Sequence, residues 1–157
     1  MKHPTEILNT IQGKLPSAKN KQMQTLDVLR HVVSREAPQA NFEKFVNGLD
    51  SILKDDKNTL IQVGNTVFLV NRKMQDQVEF HTFSADHPGL LAENFRGLAN
   101  FFKNQRIKSA VTYEDTPHHS ELFKKTGFPV KITNTAQSMA GEANPVYRIE
   151  IVTAGAA

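Results

Sequence analysis

Apolar residues recur at helical spacing through the first 57 positions of the chain and at alternate positions beyond them. Ile7, Leu8, Ile11 and Leu15 stand three and four apart until Pro16-Ser17 interrupts the run. A second run, Met23, Leu26, Leu29, Val32 and Val33, stops before Pro38, because the residue preceding a proline is driven out of the α region. The third run, Phe42, Phe45, Val46, Leu49, Ile52 and Leu53, is the clearest amphipathic helix, and Asn41 stands before it as an N-cap. From Thr59 the period becomes two. Thr59 to Val63 and Thr66 to Asn71 read as strands joined by Gly64-Asn65, with glycine at the first central position of a type II′ turn. The polar stretch Met74 to Gln77 is a second turn, and Val78 to Ser84 a third strand.

Asp86-His87-Pro88-Gly89 then opens a long helix with Leu91, Phe95, Leu98 and Phe102 on one stripe, widened by Leu90 and Phe101, running to about Asn104. Ile107 to Tyr113 is a strand. Pro117 to Thr126 is a short helix with Leu122 and Phe123 inward, stopped by Gly127 at C′. Val130 to Thr133 and Val146 to Val152 are the last strands, joined by a polar linker over 134–145. Strand–helix–strand crossovers require a parallel pair. The expected fold class is therefore α/β (α+β): a central mixed, mostly antiparallel sheet flanked by helices. Residues 1–57 form an N-terminal helical segment and residues 58–157 the mixed-sheet portion, together one compact unit.

Composition adds exclusions. At 157 residues and 17.6 kDa the chain suits one domain. It has no cysteine, which removes disulfides, thiolate zinc sites and a cysteine nucleophile. Hydrophobic residues at 39% and charged residues at 22% describe a soluble globular protein, and no apolar run approaches the roughly 20 residues of a membrane span. The opening residues lack the apolar core of a signal peptide, so a cytoplasmic location, or incorporation in a virion, is expected. The net charge of +3 is spread evenly: residues 1–57 contribute +2 and residues 58–157 contribute +1. No basic patch interleaved with aromatics appears, and no specific nucleic-acid partner is predicted.

From residue 59 onward the order of elements resembles the GNAT superfamily of acyl-CoA-dependent N-acyltransferases. The local match is the strand Ile107–Tyr113, the helix from Pro117, and Leu122-Phe123-Lys124-Lys125-Thr126-Gly127-Phe128, which is similar to the family's Leu-Tyr-x-x-x-Gly-Phe helix end. The resemblance implies a CoA diphosphate held by backbone amides at the start of the long helix, in a Gln/Arg-x-x-Gly-x-Gly/Ala loop. There the chain has Asp86-His87-Pro88-Gly89-Leu90-Leu91. One glycine survives, Pro88 lacks a donor, Leu91 stands where a small residue is expected, and Asp86 brings a negative charge. Asp86 reads as the helix N-cap. The tyrosine that the family uses as general acid is Phe123 here, which has no proton to give.

Other groups were weighed against plain structural roles. His118-His119 beside Glu114-Asp115 invites a metal site, but Thr116-Pro117 between them marks a helix start and makes the acids capping groups, so no metal is predicted. No Walker loop, Rossmann fingerprint or serine hydrolase elbow occurs. These readings lead to a non-catalytic structural or assembly protein that keeps a GNAT-like fold without its cofactor loop. It resembles small virion proteins of tailed bacteriophages, with other proteins of a larger assembly as partners, a homo-oligomer allowed, and no cofactor. The alternative is an N-acyltransferase with a divergent loop, binding acetyl-CoA at Gly89, Leu90 and Leu91, with His81 and Tyr113 as catalytic residues. A second alternative is a small adaptor acting through its N-terminal helices.

Overall fold

The computed structural model describes residues 23–114, 119–135 and 146–154. The helix expected over Ile7 to Leu15 lies outside the described residues. Helices α1 (Thr25–Glu36) and α2 (Phe42–Leu53) are followed by β1 (Asn58–Val63), β2 (Thr66–Met74) and β3 (Gln77–Ser84). Then come α3 (Pro88–Asn104), β4 (Ser109–Glu114), a short α4 (Ser120–Lys124), β5 (Val130–Thr135) and β6 (Val146–Val152). The strands form one sheet in the order β1-β2-β3-β4-β6-β5. Every pairing is antiparallel except β3 with β4, which the α3 crossover makes parallel. This is the mixed, mostly antiparallel sheet flanked by helices that the hydrophobic pattern predicts.

Alternation divides the sheet into two faces. Ile61, Val63, Phe68, Val70, Val78, Phe80, Ala110, Ile149 and Ile151 point toward α3 and α4, where Leu91, Phe95, Leu98, Phe102 and Phe123 complete the larger core. Leu60 and Val67 point the other way, onto Val28, Leu29 and Val32 of α1 and Leu49 and Leu53 of α2, with Phe83 half-buried beside them. The α2 start is set by Asn41, whose side chain accepts the Lys44 N–H at 3.1 Å, as its sequence position implies. Gln62 is buried among apolar residues of this second core. Its amide donates to the carbonyls of Met23 at 3.0 Å and Gly64 at 2.9 Å, and its oxygen accepts from the Thr25 hydroxyl. A buried amide left without such partners would be costly, so Gln62 fixes the start of α1 on β1.

Several boundaries differ from expectation for local reasons. Arg106 takes a positive φ of 62° to turn the chain out of α3, so β4 begins at Ser109 and Ile107 becomes a core residue of the connection. Helix α4 is only five residues long. Its stop is set by Thr126, whose hydroxyl donates to the Phe123 carbonyl at 2.7 Å, and Gly127 reverses the chain one residue later at φ 86°. The β1–β2 turn follows the type II′ expectation, with positive φ (59°) at Gly64 and not at Asn65.

A Cβ at Gly64 would come within 3.2 Å of both Asn94 Oδ1 and Asp86 Oδ2. Strain and crowding act together there. Gly64→Ala should lower unfolding stability by about 1–2 kcal/mol, or more if Asp86 must move, as read by urea denaturation.

Candidate functional site

The parallel junction between β3 and β4 is short. Only Gln77–Ser109, Val78–Ala110 and Glu79–Val111 are paired. Beyond them, Phe80 to Ser84 and Thr112 to Glu114 have no ladder partners in one another, so the two strands part toward their carboxyl ends. In open sheets, ligands bind outside the carboxyl ends of parallel strands where such a crevice opens. Beside the freed end of β3 lies a cavity of about 490 Å³ lined by Thr82 and Ser84 of β3, Asp86, Pro88 and Leu91 at the start of α3, and Arg35 and Glu36 of α1. His119, Glu121 and Leu122 close it from α4. Arg35 is held in place by donating to the Ser84 carbonyl at 3.1 Å.

Asp86 does not cap α3. The N-cap is His87, whose side chain makes no capping hydrogen bond, with Pro88 at the first helical position. The Asp86 carboxylate turns back to the β1–β2 hairpin instead. Its Oδ2 accepts from the Asn65 N–H at 2.8 Å, the Thr66 hydroxyl at 3.0 Å and the Asn94 amide at 2.7 Å. This corrects the N-cap expectation and the inference drawn from it. The three donors converge on Oδ2, and the carboxylate ties α3 to the sheet while still bordering the cavity.

The first amides of a helix have no acceptor within it. At α3 Pro88 contributes none, and the Leu91 N–H donates to the His87 carbonyl at 2.9 Å. Gly89 and Leu90 therefore carry the outward amides of this end, Gly89 exposed and Leu90 half-buried. Of the three residues expected to hold a cofactor, Leu91 has its amide taken and its side chain buried in the core.

The crevice wall also holds a pair that sequence reasoning discounted. His119 Nδ1 lies 2.5 Å from Glu114 Oε1, and the His119 backbone N–H donates to Glu114 Oε2 at 3.3 Å. The imidazole lies against Phe95 and Phe123, with centroids 5.7 and 6.2 Å away. Asp115 and His118 lie outside the described residues, and no group of three or more metal-ligating side chains gathers among the described ones. The available signal was strand parity. Glu114 shares the face of Ala110 and Thr112, which directs it toward the helix that follows.

His81 and Tyr113 are on the opposite face of the sheet from this cavity. His81 alternates with Phe80 and pairs with Leu69, while Tyr113 pairs with Arg148. Continuing the parallel register past Glu79–Val111 would set His81 across from Tyr113, so the parting strands bring them to the two sides of the same opening. Tyr113 lines a separate cavity of about 290 Å³ with Lys73, Glu79 and Arg148, over the paired stretch of β3 and β4, and His81 does not line it. The hydrogen bond to Glu150, at 3.0 Å, raises the Arg148 pKa above its ordinary value; burial opposes the rise and Tyr113 adds to it. The guanidinium thus stays charged at any working pH.

No protein-family profile matches the chain, and no curated protein matches it. Solved structures do. A chimera of the spermidine N-acetyltransferase SpeG from Vibrio cholerae with hSSAT aligns over 85% of this chain and 93% of its own, with a TM-score of 0.61 at 11% identity. A point mutant of the Vibrio cholerae enzyme aligns over 85% and 94%, with a TM-score of 0.59 at 9% identity. A dodecameric structure of that enzyme in an intermediate state aligns over 82% and 88%, with a TM-score of 0.58 at 11% identity. The fold is GNAT-like. The expectation of a non-catalytic phage structural protein is overturned by these matches, which are to acyltransferases and lend no support to a virion component. Among the described residues no helix is long and apolar enough to cross a membrane.

Removing the Asp86 carboxylate should loosen the start of α3. Asp86→Ala should cost about 2–3 kcal/mol in urea unfolding, and a double-mutant cycle with Asn94→Ala should show coupling of about 1 kcal/mol. Additive losses would mean that the two side chains act separately.

Proposed function

We propose that the protein is an acyl-CoA-dependent N-acyltransferase that moves an acyl group from a CoA thioester to an amine. The observation that carries this reading is the cavity at the freed end of β3, next to where β3 and β4 part and walled by the start of α3. An extended thioester suits that shape. Its diphosphate would lie against the Gly89 and Leu90 amides at the positive end of the α3 dipole, with Arg35 across the cavity as a counter-charge. Glu36 and Glu121, on the same rim, are exposed and paired with Arg35 and Lys124, at 3.3 and 3.2 Å. Their exposure leaves their charge largely to solvent screening.

The acceptor amine would approach from the opposite face of the sheet. His81 would take its proton there, and Tyr113 with Arg148 would orient it at the edge of the opening. An acyl-CoA supplies an activated carbonyl, so the work left for the chain is to align it, bring up an uncharged amine and move protons. Self-association belongs to this reading as well, since one similar structure is dodecameric, and light scattering over a range of concentrations tests it.

Calorimetric titration with acetyl-CoA should show micromolar binding. Mass spectrometry should then detect acetyl transfer within a panel of polyamines, amino acids and peptide amino termini. A chain that neither binds acetyl-CoA nor acetylates any amine would end the proposal. Gly89→Asp offers a sharper contrast. The added Cβ meets nothing closer than the His87 ring at 3.5 Å, and an acid in the first turn of a helix is favourable. The variant should keep or raise its melting temperature while binding acetyl-CoA about tenfold more weakly.

A further inference from the structure

The geometry points to His119, held by Glu114, as the catalytic acid that delivers a proton to the departing thiolate. This role rests on the acyltransferase reading above and assigns a specific group to it. Acyl transfer from a thioester to an amine forms a C–N bond and breaks a C–S bond. The electron pair of the broken bond leaves on sulfur, and the nitrogen sheds a proton. One proton must therefore leave the amine and one must reach the sulfur. His81 and Tyr113 stand on the amine's face of the sheet, and neither lines the crevice in which the sulfur would lie.

His119 does line it. Its neighbours in the wall include Thr82 and Ser84, from the part of β3 that has left the parallel ladder, and its partner Glu114 ends β4, the other strand of the opening. A chain of atoms running from the start of α3 into the gap between these strands passes this imidazole. The pairing with Glu114 fixes the orientation of the ring. With Nδ1 engaged by the carboxylate, the transferable proton is carried on Nε2. Phe95 and Phe123 pack against the ring, with centroids 5.7 and 6.2 Å away, and hold it in place. Glu114 is half-buried and serves this ring, so it is a positioning residue.

The step that carries the cost is protonation of a poor leaving group, so the test varies the leaving group. His119→Gln should lower kcat with acetyl-CoA about 100-fold while KM for acetyl-CoA stays within about threefold. With the acetyl thioester of 4-nitrothiophenol, whose thiolate leaves without a proton, the same variant should lose less than about threefold. Glu114→Gln, a near-isosteric change, should show the same dependence on leaving group with a smaller loss of about tenfold. It carries the comparison if His119→Gln proves unstable by melting temperature.

Equal losses with the two donors, or an unchanged rate in His119→Gln, would overturn the assignment while leaving the acyltransferase reading intact. A wild type that transfers no acetyl group from either donor would overturn both.

Discussion

Three residue pairs hold the two halves of the sheet together. Among the described residues the meander β1-β2-β3 and the antiparallel trio β4-β6-β5 pair strand to strand along Gln77–Glu79 and Ser109–Val111, a seam extended by the Asp76 carbonyl, which accepts the Lys108 N–H at 2.7 Å. All else that bears on function follows from how short that seam is. Past it the strands diverge, and the space is bordered on one side by α3 and α4 and on the other by the face that carries His81 and Tyr113. The large core keeps the junction from opening further. Phe80 of the parting half of β3 packs edge-on against Phe123 of α4 at 6.2 Å, and Phe123 lies on Phe95 of α3 at 4.3 Å. Aromatic pairs of this kind contribute about 0.5–1.5 kcal/mol each beyond their burial, so the separation of the strands is held by packed rings rather than left loose.

Asp86 sets where the start of α3 sits relative to that opening. A helix end aimed at a ligand is useful only if it is held to within a fraction of an ångström, and a surface loop alone would not do this. One carboxylate accepting from Asn65, Thr66 and Asn94 ties the preceding hairpin, the end of β3 and the second turn of α3 into a single unit. The Ser84 hydroxyl joins the same group, 2.7 Å from Thr66 Oγ1 and accepting the Asp86 N–H at 3.0 Å. The residue that most resembles an obstacle to phosphate binding is a structural tie.

Sequence periodicity was enough for the element order, the type II′ turn at Gly64 and the Asn41 cap, because each of these is decided by local chemistry. Asp86 was misread for the opposite reason. Its position before a helix invites the capping geometry, but its partner Asn65 is 21 residues away and comes near only when β1, β2 and β3 pair. The Glu114–His119 pair was discounted because Thr116-Pro117 separates the two in sequence. The two side chains nevertheless meet, at 2.5 Å. The order of elements in the sheet, with β6 between β4 and β5, lies beyond any periodicity, since the crossover through α4 sets β5 one position away from β4 and β6 returns into the gap.

The absence of a matching family profile and an identity near 11% to the similar structures do not argue against chemistry at this site. What the proposed reading asks of the crevice is mostly backbone and topology: strands that part, outward amides at Gly89 and Leu90, and a helix dipole. None of these needs a particular side chain, so a chain can keep them while changing nearly every residue around them. Side chains matter only where a proton must move or a charge must be met, and at those points substitutions can trade places across neighbouring elements. Arg35 comes from α1 rather than from the loop before α3, and His119 stands one turn before Phe123 on the same wall. A motif search looks for these groups at fixed positions along one segment, whereas the crevice requires only that they line the same few ångströms of space.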